Sequence, residues 1–371
     1  CIQCGSVVSE EEPVAQTWNA DSEAVLARAL AADDELGVVD AAAVTSPTIA
    51  PHRPPPQPKP TTPTFYSICH ESMALKVSAS RAAELHQQRT AALIAARRSI
   101  LVLDLDNTLV HATTEQELQA ASTRIGAPLS FQPSAKVYTV RAAGTTFVLR
   151  DRPGLVDFLQ TASKLFELHM YTNGTRSYAA AVAACIDPDS HFFQNRILTR
   201  DECVGLDKDL KRLLPLGDEL AIVLDDRSDV WDDADNLIQV SPFRFFTVAR
   251  SLNALPDDEE PDGKVLDNTE QRLFLVKDRE RKAAADDELK VVGGLLESLH
   301  AEWFAELERR GSDALVPDYK SLLRRRRRRV FSGCTFVFSS LFPRGDDRRR
   351  AEVVRLTARY GGGGGGGGAP G

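Results

Sequence analysis

Short, almost wholly apolar runs alternate with helix-forming stretches along the middle of the chain. The apolar runs cover residues 100–103, 166–171 and 220–224, a pattern typical of strands buried on both faces of a parallel sheet. Helix-forming stretches occupy residues 78–98, the segment opened by Arg152-Pro153-Gly154, and residues 176–185,. This alternation predicts an α/β fold with a doubly wound parallel sheet.

Two further patterns add to this core. Strand-like runs at residues 136–141 and 145–149, separated by Gly144, predict a small β insert that caps or shapes a pocket,. Towards the end of the chain, apolar residues recur at helical spacing: Val292, Leu295, Leu296, Leu299, Trp303 and Phe304,. We interpret that stretch as a helix that packs against the α/β domain or its neighbour.

The first apolar run ends in two aspartates, Asp104 and Asp106. Side chains two apart on a strand face the same way, so we expect the two carboxyl groups to share one pocket. Two carboxylates that close cannot both ionise cheaply. We assign Asp104 to in-line attack on a phosphorus atom, and Asp106 to protonating the departing oxygen and then activating water. The alternative, a strand end with two solvated aspartates, stays open for so short a motif.

Polar residues at the ends of the later strands suit the same reaction. We expect the Thr172 hydroxyl and the amides of Asn173 and Gly174 to donate hydrogen bonds to phosphoryl oxygens,. Lys208 would add a positive charge, and Arg152 could join from its turn. Each residue alone is also consistent with an ordinary surface position, and the convergence of three strand ends favours phosphate-ester hydrolysis.

The carboxylates also predict a metal site. Asp104, Asp226 and the backbone carbonyl of Asp106 offer the hard oxygen ligands that Mg²⁺ prefers,. The cation would offset the repulsion between an anionic nucleophile and an anionic ester. We expect Asp225 to orient Lys208 and not to bind the metal.

Composition limits the number of domains, the kinds of partner and the cellular compartment that we expect. With 371 residues, 43% of them hydrophobic, the chain can form about two domains of the usual size,. A net charge of −8 argues against direct nucleic-acid binding,. Six scattered cysteines are too few for a disulfide framework and favour a reducing, intracellular compartment,. No segment approaches the roughly 18 apolar residues of a membrane span, so we expect no membrane partner. The first residue is cysteine, which indicates a fragment.

The strand-end motifs carry a resemblance to a known family. Leu-Asp-Leu-Asp-Asn-Thr-Leu-Val-His from position 103, Tyr-Thr-Asn-Gly-Thr-Arg from 171, Lys-Asp-Leu from 208 and Leu-Asp-Asp-Arg-Ser-Asp-Val-Trp from 224 occur in family order. Residues 67–246 resemble the TFIIF-associated RNA polymerase II carboxy-terminal-domain phosphatases of the haloacid dehalogenase superfamily. The resemblance implies Mg²⁺-dependent dephosphorylation of phosphoserine in Y-S-P-T-S-P-S repeats, a nuclear location, and TFIIF as a candidate partner.

The resemblance also suggests a domain plan. We expect a disordered, Pro-rich extension over residues 1–64, a phosphatase domain over 65–250, and an acidic helical linker over 251–323. An arginine run and a partial BRCT-like domain would follow over 324–360, and a Gly-rich disordered tail over 361–371. The BRCT likeness rests on a predicted strand at 330–340 and a helix at 348–360, about half a domain.

Some features stay ambiguous. Cys1-Ile2-Gln3-Cys4 is a weak zinc motif, with Cys69 and His70 as remote additional ligands,. The six arginines at 324–329 are either a nuclear-import or acidic-partner patch or a solvated linker,.

Asn107 stands where glutamine is usual in the family. A non-catalytic phosphopeptide-binding scaffold and a small-molecule phosphatase are the alternative functions.

Overall fold

The computed structural model describes residues 65–70, 73–125, 136–202, 207–232, 234–246, 277–278, 281–311, 315–336 and 347–364. The expected N-terminal extension and the Cys1–Cys4 motif lie outside the described residues, as do residues 337–346 of the expected BRCT-like segment. The described residues, all between positions 65 and 364, form one compact unit. It opens with an antiparallel hairpin of β1 (Phe65–His70) and β2 (Met73–Ser78), followed by helix α1 (Ala79–Ala95).

A five-stranded parallel sheet forms the centre of this unit. Its strands, in chain order, are β3 (Ser99–Leu103), β7 (Phe166–Tyr171), β8 (Ile197–Leu198), β9 (Ala221–Asp225) and β10 (Leu237–Gln239). They lie in the order β10-β9-β3-β7-β8. The chain builds outward from β3 on one side and then returns to the other, so strand order reverses at β3, as in a doubly wound sheet. This confirms the predicted fold class.

Helices connect these strands. Helix α3 (Leu155–Leu165) leads into β7, and helix α4 (Arg176–Ile186) follows it. The side chain of Thr175 caps α4 by accepting a hydrogen bond from the amide of Tyr178,. Gly154 precedes α3 with φ of 77°, a left-handed conformation that glycine adopts at little cost,.

The β insert between β3 and β7 is larger than expected. Strands β5 (Val137–Ala142) and β6 (Thr145–Asp151) form the predicted hairpin, and β4 (Val110–Thr114) adds a third strand beside β6. Helix α2 (Glu115–Ile125) lies between β4 and β5 in the chain. The apolar run from position 100 to 110 is therefore two strands, separated at Asn107, whose φ is 62°.

Two long helices complete the core. Helix α5 (Glu288–Arg310) buries Leu289, Val292, Leu296, Leu299, Trp303 and Phe304 in the hydrophobic cluster that also contains the central sheet. Helix α6 (Tyr319–Val330) follows, and the Tyr319 hydroxyl lies 2.9 Å from the Ser99 hydroxyl at the start of β3. The second half of the expected acidic linker thus contributes core side chains to the catalytic unit, because its apolar stripe packs on α3 and the sheet.

The arginine run lies within α6 and fits neither sequence interpretation fully. Arg325 and Arg326 form ion pairs with Glu306 and Glu302 of α5, and Arg327 donates to the Asp235 carbonyl at 2.7 Å. The middle of the run therefore fastens α6 to α5 and to the sheet edge. Arg328 and Arg329 are exposed.

The end of the described chain differs from expectation. Helix α7 (Asp347–Arg359) matches the predicted helix, but residue 330 still belongs to α6, and the only described strand residues of the predicted 330–340 strand are β11 (Thr335–Phe336). β11 pairs with β12 (Gly363–Gly364), so part of the glycine tail does pack. Glycine makes this possible because a Cβ at Gly361 would lie 1.9 Å from the Arg328 carbonyl oxygen.

Among the residues that the structure describes, no helix combines the length and the apolar composition needed to cross a lipid bilayer.

Candidate active site

The carboxyl ends of three parallel strands bring the predicted residues to one edge of the sheet. Leu103 pairs with Met170 on one side and with Leu224 on the other. Asp104 therefore leaves β3 level with Asp225 on β9, and Thr172 follows two residues after Met170 on β7. In an open α/β sheet this edge, beside the strand-order reversal, is where ligands bind.

Lys208 is enclosed by this cluster. Its Nζ lies 2.5 Å from Asp104 Oδ1 and 2.6 Å from Asp225 Oδ2, and its side chain is 2% exposed. The rings of Tyr171 and Trp231 flank the ammonium group at 5.7 and 5.5 Å. Burial opposes the charge, but the attraction of the two carboxylates outweighs it and raises the pKa of Lys208. The ammonium ion is therefore a fixed positive charge at the sheet edge.

Asp225 is held in place by other groups. The Trp231 indole donates to its Oδ2 at 2.7 Å, and the Arg227 amide donates to its Oδ1 at 2.8 Å. The structure places Asp225 beside Lys208, where we expected it to orient the ammonium group. The sequence analysis did not predict Trp231 as a site residue, although Trp231 lies within the motif that carries the resemblance.

Asp106 has a partner that the sequence analysis missed. The Tyr178 hydroxyl, in the first turn of α4, donates to Asp106 Oδ1 at 2.6 Å. Burial and the neighbouring Asp106 raise the pKa of Tyr178 well above its usual value, so the phenol keeps its proton. Tyr178 therefore fixes the orientation of the predicted acid. Its only sequence signal is its place three residues after the helix-capping Thr175.

The loop after β7 is compact. Thr172 is fully buried, and its Oγ1 accepts a hydrogen bond from the Gly174 amide at 2.9 Å. The Gly174 amide thus has a protein partner, and it orients the Thr172 hydroxyl towards other acceptors. A Cβ at position 174 would lie 2.7 Å from Cδ1 of Tyr178, so glycine is needed for this close approach. Asn173, between them, is half-buried.

Arg152 does not reach the sheet edge as a free cation. Its side chain is fully buried, and it forms a bidentate ion pair with Asp286 at 2.8 and 2.9 Å. It also donates to the carbonyls of Thr108 at 3.2 Å and Ser241 at 2.9 Å. Because these partners occupy the guanidinium group, the geometry argues against the phosphate-binding role that we expected for Arg152. Sequence reasoning could not foresee a partner 134 positions away.

Three carboxylates converge in a way that fits a divalent cation. One oxygen each of Asp104, Asp225 and Asp226 lies within 4.8 Å of the others. Burial and the charge of Asp225 raise the pKa of Asp104 well above its usual value. The same two causes raise the pKa of Asp226 to about 6. Mg²⁺ prefers hard oxygen donors of this kind, and a bound cation would offset the repulsion among them. Both oxygens of Asp225 already accept protein hydrogen bonds, so Asp104 and Asp226 are the carboxylates that we expect to bind the cation.

The loop between β3 and β4 holds Asp226. The Thr108 hydroxyl accepts a hydrogen bond from the Asp226 amide at 3.1 Å and lies 3.4 Å from Asp226 Oδ1. Asn107 adopts a left-handed conformation, which asparagine tolerates better than most residues,. The departure from the usual glutamine is therefore compatible with the shape of this loop.

Comparisons with known proteins agree with one another. Residues 99–256 match the family model described as NLI interacting factor-like phosphatase. An RNA polymerase II C-terminal domain phosphatase of Encephalitozoon cuniculi is 30% identical in an alignment that covers 77% of this chain and 74% of the relative. The Caenorhabditis elegans protein of the same name is 31% identical over 298 residues, covering 80% of this chain and 42% of the relative.

Solved structures extend the likeness to three dimensions. The structure titled "The Structure of Fcp1, an essential RNA polymerase II CTD phosphatase" superposes with a TM-score of 0.59 at 25% identity, covering 76% of this chain and 84% of that chain. The chain spans less than half the length of the Caenorhabditis elegans relative and less than a third of that from Schizosaccharomyces pombe.

Proposed function

The chain belongs to the family of RNA polymerase II C-terminal domain phosphatases, and from this membership we propose that it is a Mg²⁺-dependent protein-serine/threonine phosphatase that works through an aspartyl-phosphate intermediate. Its proposed substrate is the phosphorylated heptad repeats of the carboxy-terminal domain of the largest RNA polymerase II subunit. The relatives' names supply this substrate. A nuclear location and TFIIF as a partner follow from the same resemblance.

One observation carries the enzymatic part of the proposal. Buried Lys208 lies within hydrogen-bond distance of Asp104 and of Asp225, at the carboxyl edge of the sheet. A buried cation between two acidic groups is an expensive arrangement for a purely structural role, because each charge loses its hydration. Clusters of this kind, with strongly shifted pKa values, are typical of catalytic sites.

In the first half of the proposed reaction, Asp104 is the nucleophile. Its carboxylate oxygen forms a bond to phosphorus while the bond from phosphorus to the seryl oxygen breaks, and Asp106 transfers its proton to that oxygen. Tyr178 holds Asp106 in the orientation for this transfer. Lys208 and the Thr172 hydroxyl balance the charge that develops on the phosphoryl oxygens.

In the second half, a water molecule replaces Asp104 on phosphorus. Asp106, now a carboxylate, takes a proton from the water while the water oxygen forms a bond to phosphorus. The bond between phosphorus and the Asp104 oxygen breaks, which regenerates the Asp104 carboxylate and releases phosphate. Mg²⁺, held by Asp104, Asp226 and the Asp106 carbonyl, would supply positive charge against the repulsion between nucleophile and ester. Asp225 then serves to fix Lys208.

The proposal is tested by phosphate release from a synthetic phosphorylated heptad peptide. We expect turnover by the wild-type chain with Mg²⁺, and none after chelation or in Asp104→Asn. Glu84→Gln, which alters an exposed ion pair on α1, is a matched control and should retain full activity. Peptide binding without turnover by the wild-type chain would favour a non-catalytic scaffold, and a preference for sugar phosphates would favour a small-molecule phosphatase.

A further inference from the structure

Asp286 lies outside the residues that match the phosphatase family model, which end at position 256. It stands two residues before helix α5, and its side chain is only 18% exposed. Both of its carboxylate oxygens accept hydrogen bonds from Arg152, at 2.8 and 2.9 Å. This bidentate geometry is the strongest form of an arginine–carboxylate pair.

Arg152 extends the connection towards the active site. The same guanidinium group donates to the Thr108 carbonyl at 3.2 Å, and the Thr108 hydroxyl accepts from the Asp226 amide at 3.1 Å. An unbroken series of polar contacts therefore runs from Asp286 through Arg152 and Thr108 to Asp226. Asp226 belongs to the acidic cluster at the sheet edge and is one of the two carboxylates that we expect to bind Mg²⁺.

A second set of contacts fixes the same region. Glu288, the first residue of α5, accepts a hydrogen bond from the Ser241 amide at 3.0 Å, while the Ser241 carbonyl accepts from Arg152 at 2.9 Å. The Phe243 amide donates to the Asn107 carbonyl at 2.7 Å. The start of α5 thus holds the loop between β3 and β4 from outside the family-matched segment.

On the basis of the proposed function, we infer that Asp286 is a positioning residue for the Mg²⁺ site. It fixes Arg152, which fixes the loop that presents Thr108 to Asp226. Groups that orient metal ligands typically change metal affinity about 10–100-fold when they are removed. Because Asp286 acts through two intermediate residues, we expect the lower end of that range. The start of α5 is then part of the site's architecture.

Calorimetric titration of Mg²⁺ into the full chain tests this role without relying on turnover. Asp286→Asn keeps the size of the side chain but loses its charge, and we expect it to bind Mg²⁺ roughly 10-fold more weakly than the wild type. Glu306→Gln is the matched control. Glu306 lies on α5 near the end opposite Asp286, and it pairs with Arg310 of α5 and Arg325 of α6. It should lower the melting temperature and leave Mg²⁺ affinity unchanged.

Each outcome is decisive. Mg²⁺ affinity of Asp286→Asn within twofold of the wild type overturns the positioning role, whatever its melting temperature. If Asp286→Asn does not fold, Arg152→Lys replaces it: lysine keeps the charge opposite Asp286 but cannot also reach Thr108 and Ser241. Its Mg²⁺ affinity should fall several-fold, and wild-type affinity would overturn the inference. A wild-type chain that takes up no Mg²⁺ defeats the proposed function as well.

Discussion

Acid should weaken the anchor formed by His111, which holds the segment after β10 against the β insert. Its Nδ1 accepts hydrogen bonds from the amides of Phe245 at 3.0 Å and Phe246 at 2.9 Å. Burial, with the nearby charge of Arg244, lowers the pKa of His111 from 6.5 to about 3. Protonation at Nδ1 would turn this acceptor into a donor facing two other donors.

The size of the effect follows from the two pKa values. Unfolded His111 takes up a proton as the pH falls below 6.5, whereas the folded residue stays neutral until about pH 3. Proton uptake therefore stabilises the unfolded state in acid. The contribution of neutral His111 to the free energy of unfolding is fully present above pH 6.5 and is lost as the pH falls towards 3. Between pH 8 and pH 5 the loss is about 2 kcal/mol, since one pKa unit corresponds to about 1.4 kcal/mol.

Urea unfolding at the two pH values measures this loss. His111→Asn cannot titrate but keeps an acceptor oxygen near the position of Nδ1. The wild type should lose about 2 kcal/mol more stability than the variant between pH 8 and pH 5. All other titrating groups are common to both proteins and cancel in the comparison. Equal losses in the two proteins would refute the assignment of a neutral, buried His111.

Three further substitutions test the site and its support. Tyr178→Phe removes the hydroxyl that donates to Asp106, so kcat should fall roughly 10–100-fold and the free energy of unfolding by about 1–3 kcal/mol; steady-state kinetics within twofold of the wild type would contradict this. Lys208→Met leaves the carboxylate of Asp104 without its ammonium partner, and phosphate release should fall by more than about 100-fold; substantial turnover would argue against a catalytic role. Trp303→Ala empties a fully buried position in α5 and should lower the free energy of unfolding by about 3–5 kcal/mol; a urea midpoint close to the wild type would show that Trp303 contributes little to the packing of α5.

The central sheet could be predicted because its signal is local. Each buried strand is an apolar run with a polar end, and the predicted strand at 166–171 matches β7 (Phe166–Tyr171). Because parallel strands end at the same edge of a sheet, the polar residues that follow each run are expected to lie close together. The β insert is predicted only in part. The apolar run that contains β3 extends to Val110, the first residue of β4 (Val110–Thr114), so the apolar pattern alone does not separate the two strands at the left-handed turn of Asn107.

The parts that sequence reasoning missed depend on contacts between distant segments. Nothing near Arg152 in the sequence indicates that Asp286 will neutralise it, so a phosphate partner was the simplest expectation. The arginine run gave the same difficulty: its composition indicates a solvated or partner-binding surface, yet Arg325 and Arg326 find glutamates on α5. Tyr178 was equally hidden, because a buried tyrosine in a helix usually serves packing alone.

In the proposed reaction, Asp104 itself receives the phosphoryl group. Mass spectrometry of the protein, quenched in acid during turnover of a phosphorylated heptad peptide with Mg²⁺, would detect that intermediate. We expect one added phosphoryl group on the fragment that contains Asp104, lost on brief alkaline treatment and missing in Asp104→Asn. Turnover with no phosphorylated enzyme at any quench time, or a phosphoryl group on another residue, would contradict it.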